Sequence, residues 1–264
     1  MTNPTRTSVQ LPSIGAVPIT FTQTGTGHPV LLLHGGGGPQ TVLGWADQLA
    51  AQHPVRVLTP VHPGWNGTQR PDGLSTIRQL AELYAAWLAE LDLTGVTVVG
   101  NSIGGWIAAE LATLDSPRVS RVVLVDAVGL DVSGHPVAAP TSPRELAELA
   151  YHDPDRFGVD PSRLSAEARA SMAANQQVLR HYAGTTMTDP TLPDRLGQVN
   201  TPTLVVWGDS DRISDLEVGR AYADAIPGAR FELLPEAGHL PQIEAPAALT
   251  GVVWPFIDAD VLAG

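Results

Sequence analysis

Short, continuous apolar runs alternate along this chain with longer stretches of helical spacing. Val30 to Leu33, Val55 to Thr59, Val96 to Val99, Val119 to Val125 and Thr203 to Trp207 are rich in aliphatic and β-branched residues and are bounded by Gly, Pro, Asp or Ser. Unbroken apolarity over so few residues predicts strands buried on both faces. Val17 to Thr24 precedes a Gly25-Thr26-Gly27-His28-Pro29 turn, so residues 1–28 predict an opening antiparallel hairpin. Arg230 to Leu234 is the last predicted strand. Helices are predicted over Thr41 to Ala51, Ser75 to Glu90, Trp106 to Leu114, Leu216 to Ile226 and Pro246 to Ile257. Ser75 is the expected N-cap of the second.

The alternation stops near Gly129. From Asp131 to Asn200 no strand pattern occurs, and Arg144 to Tyr151, Ser165 to Ala174 and Asn175 to Tyr182 read as separate short helices. The expected class is α/β: a mostly parallel, doubly wound sheet with a small helical lid inserted after the sixth strand. Residues 1–130 and 200–264 form the expected core, and 131–199 the lid. A site in such a sheet lies at the carboxyl ends of the strands. His34, Ser102, Asp126 and the loop after Trp207 all fall there.

Composition narrows the chemistry. The chain has 264 residues, with no Cys and no Lys; all 15 basic residues are Arg. That excludes disulfides, thiol nucleophiles, Schiff bases and a phosphate loop with a lysine. A formal charge of −12 argues against nucleic acid or an anionic membrane as partner. No apolar run is long enough to span a bilayer, and the N-terminus shows no signal-peptide pattern, so a cytoplasmic location is expected. A small-molecule substrate is the expected partner. Monomer and homo-oligomer stay undecided, and no metal or other cofactor is called for.

Gly100-Asn101-Ser102-Ile103-Gly104 is a G-x-S-x-G pattern set between a strand and a helix, the context of a nucleophile elbow. A serine nucleophile needs a base, and the base needs an acid. His239, in the loop after the last strand, is the expected base. Asp211 is the expected acid, with Asp209 as a turn former and Asp126 as rival. The oxyanion donors are expected to be Ile103 N–H and a glycine of His34-Gly35-Gly36-Gly37-Gly38, Gly36 before Gly37.

HGGGG at 34–38, HPGWNG at 62–67, GNSIGG at 100–105, WGDSD at 207–211 and GHLPQIE at 238–244 together resemble the α/β-hydrolase superfamily, in that family's order. The resemblance implies a triad of Ser102, Asp211 and His239, with Gly36 and Ile103 as the oxyanion hole. His62 departs from it, because many relatives carry an aspartate there. GNSIGG is similar to the turn of hydrolases that cut carbon–carbon bonds in meta-cleavage products. GHLPQIEAP looks more like esterases and enol-lactonases. Small carboxylic esters or lactones are therefore the first expectation, C–C hydrolysis of dienoates the second, and a lyase or ligand receptor on the same fold the third. Tyr151, Phe157, Met172, Met187 and Tyr182 are expected to roof the pocket, and Trp45, Trp65 and Trp106 to line it from below. No arginine of the insertion is expected to turn inward.

Overall fold

The computed structural model describes residues 4–258; the outermost residues of the expected core, 1–3 and 259–264, lie outside that range. The opening hairpin is formed by β1 (Thr5–Leu11) and β2 (Gly15–Gly25), paired antiparallel. Then follow β3 (His28–Leu33), α1 (Gln40–Gln52), β4 (Val55–Val61), α2 (Ile77–Glu90), β5 (Val96–Asn101), α3 (Ile103–Ala112) and β6 (Val119–Val125). Four helices intervene before the next strand: α4 (Pro143–Ala150), α5 (Pro154–Phe157), α6 (Ala166–Ala183) and α7 (Leu192–Leu196). The chain returns with β7 (Thr203–Gly208), α8 (Leu216–Ala225), β8 (Arg230–Leu234), α9 (Pro241–Glu244) and α10 (Pro246–Asp258). The eight strands lie in the order β1-β2-β4-β3-β5-β6-β7-β8. From β4 to β8 every pairing is parallel.

Strand periodicity sorts the core into two layers. Leu31, Leu33, Val98, Val122, Leu124, Val205 and Trp207 face one way, against α2, α3 and α8. Val30, Leu32, Val99, Val123, Val125, Leu204 and Val206 face the other way, against α1 and α10. Both faces are covered, which is why these strands read as unbroken apolar runs. Burying one such side chain contributes roughly 1.5–3 kcal/mol.

Two local expectations are corrected. Thr76, not Ser75, caps α2. Its hydroxyl accepts from Gln79 N–H while the Gln79 side chain accepts from Thr76 N–H, a reciprocal box that Ser75 is one residue too early to make. Residues 166–183 form one helix rather than two, and Asn175, inside it, turns its side chain to a tertiary contact with Asn66. The segment between β6 and β7 is anchored on the core through the buried carboxylate of Glu110. Glu110 of α3 pairs with Arg78 at 3.1 Å and with Arg195 of α7. Among the described residues no helix is long and apolar enough to cross a membrane.

Candidate active site

Ser102 sits between β5 and α3 with φ 58° and ψ −120°, a conformation that costs an L-residue roughly 1–3 kcal/mol. Two glycines make the turn possible. A Cβ on Gly100 would lie 2.1 Å from the Gly104 carbonyl oxygen, and one on Gly104 would lie 2.2 Å from that of Leu33. Ser102 N–H donates to the Val125 carbonyl at 3.0 Å, so the turn is fixed to β6.

Ser102 Oγ lies 2.8 Å from His239 Nε2, and His239 Nδ1 lies 2.8 Å from Asp211 Oδ2. The other oxygen of Asp211 accepts from Ile213 N–H at 2.8 Å and Ser214 N–H at 3.1 Å, which orients the carboxylate. Asp211 and His239 are buried while Ser102 is half-buried, so the hydroxyl is the open end of the chain. A serine in this geometry can pass its proton to the imidazole as it attacks an electrophilic carbon. Asp126 does not take the acid position: its Oδ1 accepts from Gly208 N–H at 2.8 Å.

The His239 loop is held from both sides. Its N–H donates to the Ala150 carbonyl, at the end of α4, at 2.8 Å, so the inserted segment helps fix the His239 loop. From below, Asn101 Nδ2 donates to the His239 carbonyl at 2.9 Å, and Gln242 Nε2 donates to Asn101 Oδ1 at 3.1 Å. Glu244 Oε2 accepts from Gly238 N–H at 2.8 Å. Asn101, Gln242 and Glu244 lie inside motifs that the sequence displays, but nothing local assigns them this role.

The glycine loop lies against the serine. A Cβ on Gly35 would be 3.2 Å from Ser102 Cβ. Gly36 O accepts from Trp65 Nε1–H at 3.0 Å, fixing the peptide that follows Gly36. Ile103 N–H opens α3, where no earlier helical turn supplies a carbonyl. Behind this loop stand two fully buried histidines with ring centres 3.8 Å apart. His62 N–H donates to His34 Nε2 at 3.1 Å, so His34 must carry its proton on Nδ1 and donate to Gly35 O at 2.7 Å. His62 Nε2 then donates to His34 O at 2.9 Å, and its Nδ1 accepts from the Tyr84 hydroxyl at 2.6 Å. Burial lowers the His62 pKa to about 4 and pushes His34 well down, reinforced there by His62.

Over the glycine loop lies α6. Leu179 Cδ2 is 2.9 Å from where a Gly36 Cβ would stand, and Asn175 donates to Gly37 O at 3.4 Å and to Asn66 Oδ1 at 2.9 Å. Tyr182 stacks on Trp65 at 5.5 Å and donates to Pro63 O at 3.1 Å. Trp65 and Tyr182 therefore do border the site, while Leu179 and Asn175 were not foreseen.

Other expected lining residues lie elsewhere. Trp45 belongs to the layer with α1 and α10, where its indole donates to Thr250 Oγ1 at 2.9 Å. Trp106 packs on Gly129 in the core. Met172 is 38% exposed, in a first half of α6 whose residues are mostly exposed. Phe157 stacks on Tyr151 and lines an outer groove with Pro235 and Glu244, although Tyr151 itself abuts Gly238 of the histidine loop.

A family model described as alpha/beta hydrolase family matches residues 30–252. The chain belongs to the alpha/beta hydrolase family. It is similar to a 2-hydroxy-6-oxononadienedioate/2-hydroxy-6-oxononatrienedioate hydrolase of Cupriavidus pinatubonensis, at 30% identity over 89% of this chain and 88% of that one. A 2-hydroxymuconate semialdehyde hydrolase of Pseudomonas putida is also 30% identical, over 90% of each chain. Among solved structures, a thermophilic esterase from Thermogutta terrifontis superposes with a TM-score of 0.77 at 26% identity, covering 97% of this chain and 98% of the other. The chain is thus a hydrolase of the alpha/beta hydrolase family. Among its described residues no cluster of three or more His, Cys, Asp or Glu side chains could hold a metal ion.

Proposed function

We propose that this hydrolase uses Ser102, His239 and Asp211 to break the carbon–carbon bond beside the 6-oxo group of a 2-hydroxy-6-oxo-dienoate. The observation that carries the reading is the 30% identity, along nearly the whole chain, to relatives named for such substrates. A 6-oxo carbon bears no heteroatom leaving group, so hydrolysis there must cut to carbon. This reverses the order of expectation drawn from the sequence, which put esters first.

In this reading Ser102 Oγ attacks C6 while His239 Nε2 takes its proton, and Asp211 stabilises the imidazolium. The new oxyanion faces Gly36 N–H and Ile103 N–H, each worth about 3 kcal/mol in the transition state. Collapse breaks C5–C6, sends the electron pair into the conjugated 2-oxo chain and leaves a dienolate whose oxygen takes the proton from His239. The dienol must therefore first move its hydroxyl proton to C5. Water, deprotonated by His239, then attacks the acyl-serine, releasing the acid and returning the proton to Ser102. Overall, hydrogen is added at C5 and hydroxyl at C6. Residues 131–199 act as a lid, with Leu179 and Tyr182 above the serine.

Ester hydrolysis is the second reading, supported by the likeness to the thermophilic esterase and by the arginines of the inserted segment. Arg144, Arg156, Arg169 and Arg195 are engaged with Asp155, Phe157, Leu164 and Glu110, and Arg163 and Arg180 are exposed, so none is committed to a substrate carboxylate. Side-by-side kcat/KM for a 2-hydroxy-6-oxo-dienoate and for p-nitrophenyl esters decides between them. A dienoate advantage of tenfold or more is expected. A preference for the esters would install the second reading. Loss of both activities in Ser102→Ala is required by either, and so is loss of fluorophosphonate labelling.

A further inference from the structure

The end of β6 holds a carboxyl that this chemistry leaves unused. Asp126 is fully buried, with φ 46°. Its N–H donates to Val206 O at 3.0 Å, and its Oδ1 accepts from Gly208 N–H at 2.8 Å. The same Gly208 peptide accepts at its oxygen from Asp211 N–H, and Ser214 Oγ donates to Ala127 O at 3.0 Å. These bonds strap the Asp126 turn to the Asp211 loop and bring the two carboxyls within hydrogen-bonding reach. Asp126 Oδ2 is buried and meets no donor among the described residues.

Two carboxylate oxygens cannot face each other in a buried site unless one carries a proton. Asp211 already accepts from three donors, Ile213 N–H, Ser214 N–H and His239. Asp126 accepts from one. The proton therefore belongs on Asp126, whose pKa is pushed well up by burial and then by the Asp211 charge. The ionisable groups facing it are Asp211 and, farther off, Glu244 of α9; His239 reaches it only through Asp211.

We propose that Asp126 is a positioning residue: a neutral carboxylic acid whose Oδ2–H donates to Asp211, orienting that carboxylate and drawing off part of its charge. The proposal rests on the reading of Ser102, His239 and Asp211 as the triad. Its consequence is directional. A carboxylate that accepts a further donor is a weaker base, so it stabilises the His239 imidazolium less. His239 then stays neutral, and able to take the serine proton, at lower pH than it would beside an unassisted Asp211.

The test uses the whole protein and p-nitrophenyl acetate. In Asp126→Ala the acid limb of kcat/KM moves up by about one pH unit. On that limb the rate falls roughly tenfold, more than on the plateau. Asp126→Asn, whose amide donates in the same place, restores the wild-type limb. Infrared difference spectra at pH 7 show the carbonyl stretch of a protonated carboxylic acid in wild type and not in Asp126→Asn. An unmoved limb in Asp126→Ala, or no such band in wild type, overturns the proposal. If Asp126→Ala does not fold, the infrared comparison decides alone. Ser102→Ala is the control: full activity there sinks the triad itself, whereas an inactive Ser102→Ala with an unmoved Asp126→Ala limb sinks only the role of Asp126.

Discussion

Two buried polar chains flank Ser102, and each contains a histidine. On one side His239 runs back to Asp211 and then to Asp126. On the other, His62 and His34 run back to Tyr84 and to backbone carbonyls. The difference is what stands behind the ring. A carboxylate behind His239 gives an arriving proton a place to be stabilised. A phenol and carbonyls behind His62 offer no charge, and burial keeps that ring neutral down to about pH 4. Under the proposed mechanism the same side chain is therefore a proton carrier on one flank and a fixed bracket for the glycine loop on the other.

The contrast breaks most visibly at the carrier. His239→Ala is expected to lower kcat by roughly 10³–10⁶, while His62→Gln lowers it less than about tenfold. Steady-state kinetics on both variants checks this, and comparable losses would erase the distinction.

The second effect is on stability. His62→Ala leaves the Tyr84 hydroxyl and the His34 carbonyl without their partner and opens a hole, at about 2–4 kcal/mol. Denaturant melts should register it. The pH window follows from the lowered pKa. The unfolded chain protonates this histidine near pH 6.5 and the folded chain only near pH 4, so stability is full above 6.5 and is lost as pH falls toward 4. His62→Gln should flatten that decline.

An effect of opposite sign belongs to the acid flank. The Asp126 pKa is raised, so the folded state holds a proton that the unfolded state releases above its ordinary pKa near 3.8. Stability is lost as pH rises from there. Asp126→Asn should melt progressively higher than wild type between pH 4 and pH 7. A melting difference independent of pH would place an ionised Asp126 in the fold.

What could be read beforehand follows the range of the interactions. The parallel sheet depends on periodicity and is found as expected; the elbow and the loops of Asp211 and His239 are short motifs after strands, and Ser102, His239 and Asp211 come within hydrogen-bonding distance. Trp45 was misassigned because helical spacing says that a face is buried, not which side of the sheet it meets. Met172 lies on the exposed first half of its helix, and an apolar side chain alone does not say whether it is covered. The break expected at Asn175 is absent: the residue lies inside one continuous helix and clamps Asn66 and Gly37. Asn101, Gln242 and Leu179 act across more than a hundred residues of sequence, where no local pattern records the contact.

The φ of 58° at Ser102 sets robustness against activity at a single position. Any L-residue there costs the fold stability, and glycine removes that cost. Selection for heat resistance alone would therefore discard the hydroxyl that the proposed mechanism uses as nucleophile. The elbow survives only where survival of the fold and turnover are screened together, and thermostabilising libraries of this protein need an activity filter before a melting one.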